Sequence, residues 1–88
     1  MKIIAVCGHG LGSSFMLEMN IKKALAAIGV EAEVEHSDLG SVRAEDADYF
    51  VMGHDIAGSA PVPAEKVIAL KSIIDKAELE EKLRETLA

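Results

Sequence analysis

The residues with the most chemical content stand together near the start of the chain, as Cys7-Gly8-His9-Gly10-Leu11-Gly12-Ser13-Ser14. This segment combines a thiol, three glycines and two hydroxyls. A glycine-rich loop that opens a helix aims several backbone N–H groups at one point, and the helix dipole favours negative charge there. A thiolate near such donors is favoured over the thiol, which makes Cys7 the better nucleophile. A phosphoryl group carried on that sulfur would have its oxygens within reach of the same donors, with Ser13 and Ser14 adding hydroxyls. The segment therefore offers an activated nucleophile and an anion cradle at once. The plainer reading of the same residues is a small core cysteine, a tight turn, and Ser13 or Ser14 as a helix N-cap.

Competing chemistries lack their parts. No lysine follows Gly12, as a Walker loop requires. The third glycine comes too early for the dinucleotide fingerprint, and the chain is too short for two mononucleotide halves. A lone cysteine excludes Cys-x-x-Cys exchange. Cys7, His9, His36 and His54 are scattered over several elements and make no usual zinc set, so neither metal nor cofactor is expected. A low-molecular-weight cysteine phosphatase is the sharper competitor, because it shares the layout of strand, cysteine loop and helix. Such enzymes close the loop with an arginine that clamps the phosphate. Here the loop ends in Ser13-Ser14, and the arginines are Arg43 and Arg84. A phosphoryl group held by neutral donors suits a relay better than a hydrolase. A regulatory module that senses phosphate or oxidation is the reading from a different class.

The flanking residues define the elements that must position this segment. Lys2-Ile3-Ile4-Ala5-Val6 is a short apolar run of the kind buried on both faces of a parallel sheet. Leu17, Ile21, Ala24, Leu25 and Ile28 fall at helical spacing, with Glu18, Lys22 and Lys23 on other faces and Gly29 as the stop. Val30, Ala32, Val34 and His36 alternate with Glu31, Glu33 and Glu35, which predicts an edge strand with one wet face. In that reading His36 is a partly buried structural histidine. The stretch from Asp38 to Asp46 is polar, with one short helix around Val42 to Asp46. Tyr49-Phe50-Val51-Met52 reads as a third strand, residues 54–63 as mainly loop, and Lys66-Val67-Ile68-Ala69-Leu70 as the last strand. His54 and Asp55, just after strand three, are candidates for the same rim as Cys7. Asp75-Lys76-Ala77-Glu78 has capping-box spacing before the stripe Leu79, Leu83 and Leu87.

Strands alternating with helices or crossovers imply an α/β fold: an open four-stranded parallel sheet, Rossmann-like, with helices on both faces. Right-handed crossovers with strand two at the edge give the order 2-1-3-4. Ligands of such sheets sit beyond the carboxyl ends of the strands where the order reverses, which is the end of strand one, at Cys7.

With 88 residues the chain is expected to form a single domain, 1–88. Half of it is hydrophobic and 27% is charged, a globular composition. Fifteen acidic residues against nine basic ones leave a net charge of -6, which argues against a nucleic-acid or anionic-membrane surface. One Tyr, two Phe and no Trp provide no platform for stacking bases or sugar rings. Neither a signal peptide nor a membrane span is visible, so a cytoplasmic location is expected, with no insertion into a membrane.

Val6-Cys7-Gly8-His9-Gly10-Leu11-Gly12-Ser13-Ser14-Phe15-Met16, with Met19-Asn20-Ile21 and Glu35-His36-Ser37-Asp38-Leu39-Gly40, resembles the enzyme IIB component of the phosphoenolpyruvate-dependent sugar phosphotransferase system. Within the lactose/ascorbate-like group it is most similar to the ascorbate-specific branch, over essentially the whole chain. The resemblance implies a phosphocysteine at Cys7, with Gly8 through Ser14 as the phosphate loop. It also implies a IIA phosphohistidine protein as donor. The acceptor would be a sugar, L-ascorbate, bound to the membrane IIC transporter. His9 departs from the small or polar neutral residue expected there. Its readings are a proton donor, a partner contact, or a tolerated loop side chain. Phe15 and Met16, just after the loop, are readable either as core or as the apolar centre of a partner interface.

Overall fold

The computed structural model describes residues 1–8 and 11–87, without the side chains of residues 11–14. Strand β1 (Lys2–Cys7) leads to helix α1 (Leu11–Ile28), then β2 (Glu33–Asp38), β3 (Tyr49–Gly53), the short helix α2 (His54–Ala57), β4 (Val67–Leu70) and α3 (Lys76–Leu87). Single 3-10 turns at Ala44–Asp46 and Ala64–Lys66 precede β3 and β4. All neighbouring strands are parallel, in the order β2-β1-β3-β4. The expected topology is therefore the observed one.

Two cores follow from the period-two geometry of the strands. Ile3, Ala5 and Cys7 of β1 face one side, where Val51, Ile68 and Leu70 meet Leu17, Ile21 and Leu25 of α1 and Leu79 and Leu83 of α3. Ile4 and Val6 face the other side with Phe50 and Met52, covered by Val42, Ala47 and Ile56 from the connections. The chain runs one way from β1 to β2 and the opposite way to β3 and β4. Right-handed crossovers then put α1 on one face and the later connections on the other. Two long helices thus cover one face, and short turns, α2 and loops cover the second.

Several local expectations shift. Gly29 ends α1 at φ 75, with Val30 N–H donating to Leu25 O at 3.0 Å. Strand β2 begins at Glu33 rather than Val30, because Lys2, the first residue of β1, is in register with Glu33. Val30 to Ala32 therefore lie beyond the ladder. At the other end Ser37 and Asp38 stay in β2, opposite Val6 and Cys7. The expected loop after β3 contains α2, a single turn too short to leave a periodic signal in sequence.

The capping box at α3 forms by half. The Asp75 carboxylate accepts the Glu78 N–H at 3.0 Å, but Glu78 does not return the bond. Its carboxylate accepts the N–H groups of Lys71 at 2.8 Å and Ser72 at 3.2 Å, tying the loop after β4 to the helix. These bonds, that of Lys71 first, hold the Glu78 carboxyl below its ordinary range.

Glu18, which spacing puts on a different face from the apolar stripe, is buried at 8% exposure. Its carboxylate meets His36 Nδ1 on β2 and Lys22 Nζ at 2.9 Å. The bonds from His36 and then Lys22 hold its carboxyl below the ordinary 4.5, against a smaller opposing effect of burial. The sign follows from linkage. A carboxyl depressed in the folded state stabilises above its unfolded value, and that contribution disappears as pH falls through the folded value. Wild-type stability should therefore decline below about pH 4.5, as the Glu18 carboxylate takes up a proton and its charged bonds are lost. Glu18→Gln should cost about 1–2 kcal/mol at neutral pH and flatten that acid limb. Denaturant midpoints measured from pH 7 down to pH 3 check both, and an unchanged acid limb in the variant would refute this account.

Candidate functional site

Cys7 is the last residue of β1, at the carboxyl edge of the sheet where the strand order reverses. It is 7% exposed, with Asp38 beside it in register on β2, and its carbonyl accepts the Leu39 N–H at 3.2 Å. The end of β1, from Val6 to Gly8, forms one wall of a cleft of about 170 Å³. Gly53 of β3 with Asp55 and Ile56 of α2 form the opposite wall, and Ile73 from the loop after β4 closes the side.

Two glycines set how closely these walls approach. A Cβ on Gly8 would stand 3.3 Å from Ile56 Cγ2, and a Cβ on Gly53 would stand 2.5 Å from Asp55 Oδ1. A side chain at Gly53 would therefore have to displace the Asp55 carboxylate. Helix α2 packs against Gly8 and at the same time carries Asp55 into the cleft. Sequence reading placed Gly8 in the phosphate loop and did not single out Gly53 or Ile73. No periodic signal marks either, since their role is contact between strand-end segments distant in sequence.

The expected loop is shorter than its sequence reading. Leu11, Gly12, Ser13 and Ser14 already lie in the first turn of α1, so Ser13 and Ser14 are not N-caps. The physical consequence is similar, because the first four N–H groups of a helix lack intrahelical acceptors. His9 and Gly10 lie outside the described residues, as do the side chains of residues 11–14. His54 is exposed at the start of α2 and does not line the cleft, whereas Asp55 does. His36 keeps 36% side-chain exposure, engaged by Glu18 and in edge-to-face contact with Phe15, with ring centroids 5.9 Å apart. The residue is exposed, not partly buried as expected, and stands two residues short of Cys7 in register.

Phe15 and Met16 are not core. They are 52% and 46% exposed, and Met19, one turn further, is 43% exposed. These three form an apolar outward face on the half of α1 nearest Cys7. A larger groove of about 480 Å³ lies at the other end of α1, between Leu25 and Ala32. It holds no nucleophile, and the chemistry therefore points to the smaller cleft.

Among solved structures the chain is similar to a low-molecular-weight protein tyrosine phosphatase from Bacillus subtilis, with a TM-score of 0.59 and 21% identity over 96% of this chain and 93% of that one. It is also similar to a mutant of YwlE from Bacillus subtilis, with a TM-score of 0.56 and 20% identity over 99% and 93%. At such identity the likeness is one of fold. In sequence it is 29% identical to the ascorbate-specific PTS system EIIB components of Escherichia coli O157:H7, Shigella flexneri and Salmonella typhi, covering 98% of this chain and 88% of theirs. Residues 2–85 match the family described as the lactose/cellobiose-specific IIB subunit of the PTS system. The chain belongs to that family of phosphotransferases.

Proposed function

We propose that this domain relays a phosphoryl group through Cys7 during sugar uptake, at the cytoplasmic face of a transporter. In the first half-reaction the N–P bond of a IIA phosphohistidine breaks as an S–P bond forms at Cys7. The thiol proton leaves, and the imidazole takes up a proton in its place. In the second the S–P bond breaks, its electron pair returns to sulfur, and an O–P bond forms on a sugar hydroxyl held by IIC. L-ascorbate is the sugar proposed, because the relatives named above are ascorbate-specific. Gly8, His9, Gly10, Leu11, Gly12, Ser13 and Ser14 are proposed to hold the phosphoryl oxygens between the two steps. The observation that carries this reading is Cys7 lining a cleft at the switch point, with the first turn of α1 beginning four residues later.

Both partners need the same sulfur, so they bind in turn rather than together. Brief, exclusive contacts suit a small interface, at or below ~1,200 Å² in total. The apolar face of Phe15, Met16 and Met19 is its proposed centre, and the charge of -6 favours basic patches on the partners, with association that weakens as salt rises. The test is to incubate the protein with the general phosphotransfer proteins, a matching IIA and phosphoenolpyruvate. One phosphoryl group on Cys7, read by mass, is the expected result, and none would sink the relay.

The fold of the structural neighbours favours a second reading, a phosphatase. The arginine that such an enzyme needs is missing from the loop segment, since residues 8–14 contain neither arginine nor lysine. Turnover of small aryl phosphates should accordingly be feeble. A rate in the usual enzymatic range of ~1–10³ per second would restore the phosphatase.

A further inference from the structure

We infer that Asp55 is a catalytic residue: its carboxylate takes the proton from the acceptor hydroxyl as the phosphoryl group leaves Cys7. This rests on the relay reading and adds the base that the second half-reaction lacks. The thiolate of Cys7 leaves without needing a proton, but an attacking hydroxyl must lose one. The acceptor has to approach phosphorus from the side opposite sulfur, within reach of whatever lines the cleft mouth. Asp55 and Cys7 are the ionisable groups among the described cleft-lining residues. Asp38, in register with Cys7, stands on the far side of β1 and does not line it. The exposed carboxylate lies over Gly53, where a Cβ would come 2.5 Å from Oδ1, and is open to an incoming hydroxyl. Ile56, the next residue of the same turn, packs against Gly8 and so fixes α2 to the loop that follows the nucleophile.

The step balances with any hydroxyl acceptor. The S–P bond breaks with its electrons going to sulfur, the O–P bond forms, and the hydroxyl proton moves to Asp55 and then to solvent. Water can therefore stand in for the sugar, and the slow hydrolysis of phosphocysteine becomes the readout. General bases contribute ~10²–10⁴-fold, and phosphoryl transfer, with its loose transition state, draws on the lower part of that range or less.

The experiment charges wild type, Asp55→Asn, Asp55→Glu, Gly53→Ala and Asp38→Asn from phosphoenolpyruvate through IIA. Loss of the phosphoryl group from each is then followed by mass between pH 5 and pH 9. Asp55→Asn should charge normally and discharge at least ~10-fold more slowly across that range. Asp55→Glu should recover part of the rate. Gly53→Ala, which keeps the carboxylate but displaces it, should slow discharge as well, so the result does not hang on one variant folding. Asp38→Asn, which removes a nearby charge outside the cleft, should match wild type. Transfer to ascorbate in IIC-containing vesicles should fall in the same order. Equal discharge by wild type and Asp55→Asn across the pH range overturns the assignment, as does an equal drop in Asp38→Asn. A wild type that never becomes charged on Cys7 overturns the relay itself, a result distinct from either.

Discussion

Replacing Cys7 by serine should bring phosphoryl acceptance down to background while the sheet stays folded. The two side chains differ by one atom, and Cys7 lines a cleft, where a hydroxyl can meet water. The folding cost should then stay within about 1–3 kcal/mol, the penalty of a poorly satisfied polar group. The chemical cost is far larger, because an unactivated serine hydroxyl is a weak nucleophile at neutral pH. Mass after incubation with phosphoenolpyruvate, the general proteins and IIA reads acceptance, and amide spectra or circular dichroism read the fold. A serine variant charged at a rate near wild type would move the chemistry off the sulfur.

Phe50→Ala should be the most destabilising single truncation on the loop-covered face. Phe50 is fully buried at the centre of the second core, against Ile4, Val6, Val42, Ala47 and Met52. Truncating such a ring costs about 3–5 kcal/mol in lost transfer energy and residual cavity. Native domains hold only ~5–15 kcal/mol in all, and a chain of this size buries a smaller fraction of its surface than most. At roughly 4–8 °C per kcal/mol, the melting temperature should fall by at least about 12 °C. The same change should leave charging of Cys7 close to normal in whatever fraction remains folded, since the Cys7 side chain faces the other core. A loss below about 1 kcal/mol would mean that this face collapses freely around the missing ring.

Much of the site was readable because its signals are local. The apolar run of β1 ends at Cys7, the glycines follow at once, and the topology rules turn four strands into one order with one switch point. Family resemblance rested on Val6 to Met16 together with Met19 to Ile21 and Glu35 to Gly40, and agrees with the match over residues 2–85. Asp55 stands with His54 as a candidate for the rim of Cys7, but spacing does not tell which of the two lines it. The placement of Asp55 in the cleft depends on α2, a four-residue helix with no period of its own to detect. Helix α1 starts at Leu11, which leaves Ser13 and Ser14 inside the first turn, and local spacing cannot tell a cap from the turn it caps.

Sequence alone determined which residues face inward along each strand, where α1 ends, and that the single thiol sits at the carboxyl edge of the sheet. Those outcomes follow from period, turn chemistry and handedness, which act over a few residues or on whole elements. Tertiary structure decided the pairings between distant positions. Glu18 is buried because His36, eighteen residues away on the edge strand, meets its carboxylate. Gly53 is tied to Asp55, Gly8 to Ile56, and Glu78 to the N–H groups of Lys71 and Ser72. Phe15 and Met16 stay outside because the core-facing stripe of α1 is already filled by Leu17, Ile21 and Leu25, leaving these two on the opposite face. Periodicity reports which side of an element is apolar, whereas the contacts of a polar or small residue are fixed only when another element arrives beside it.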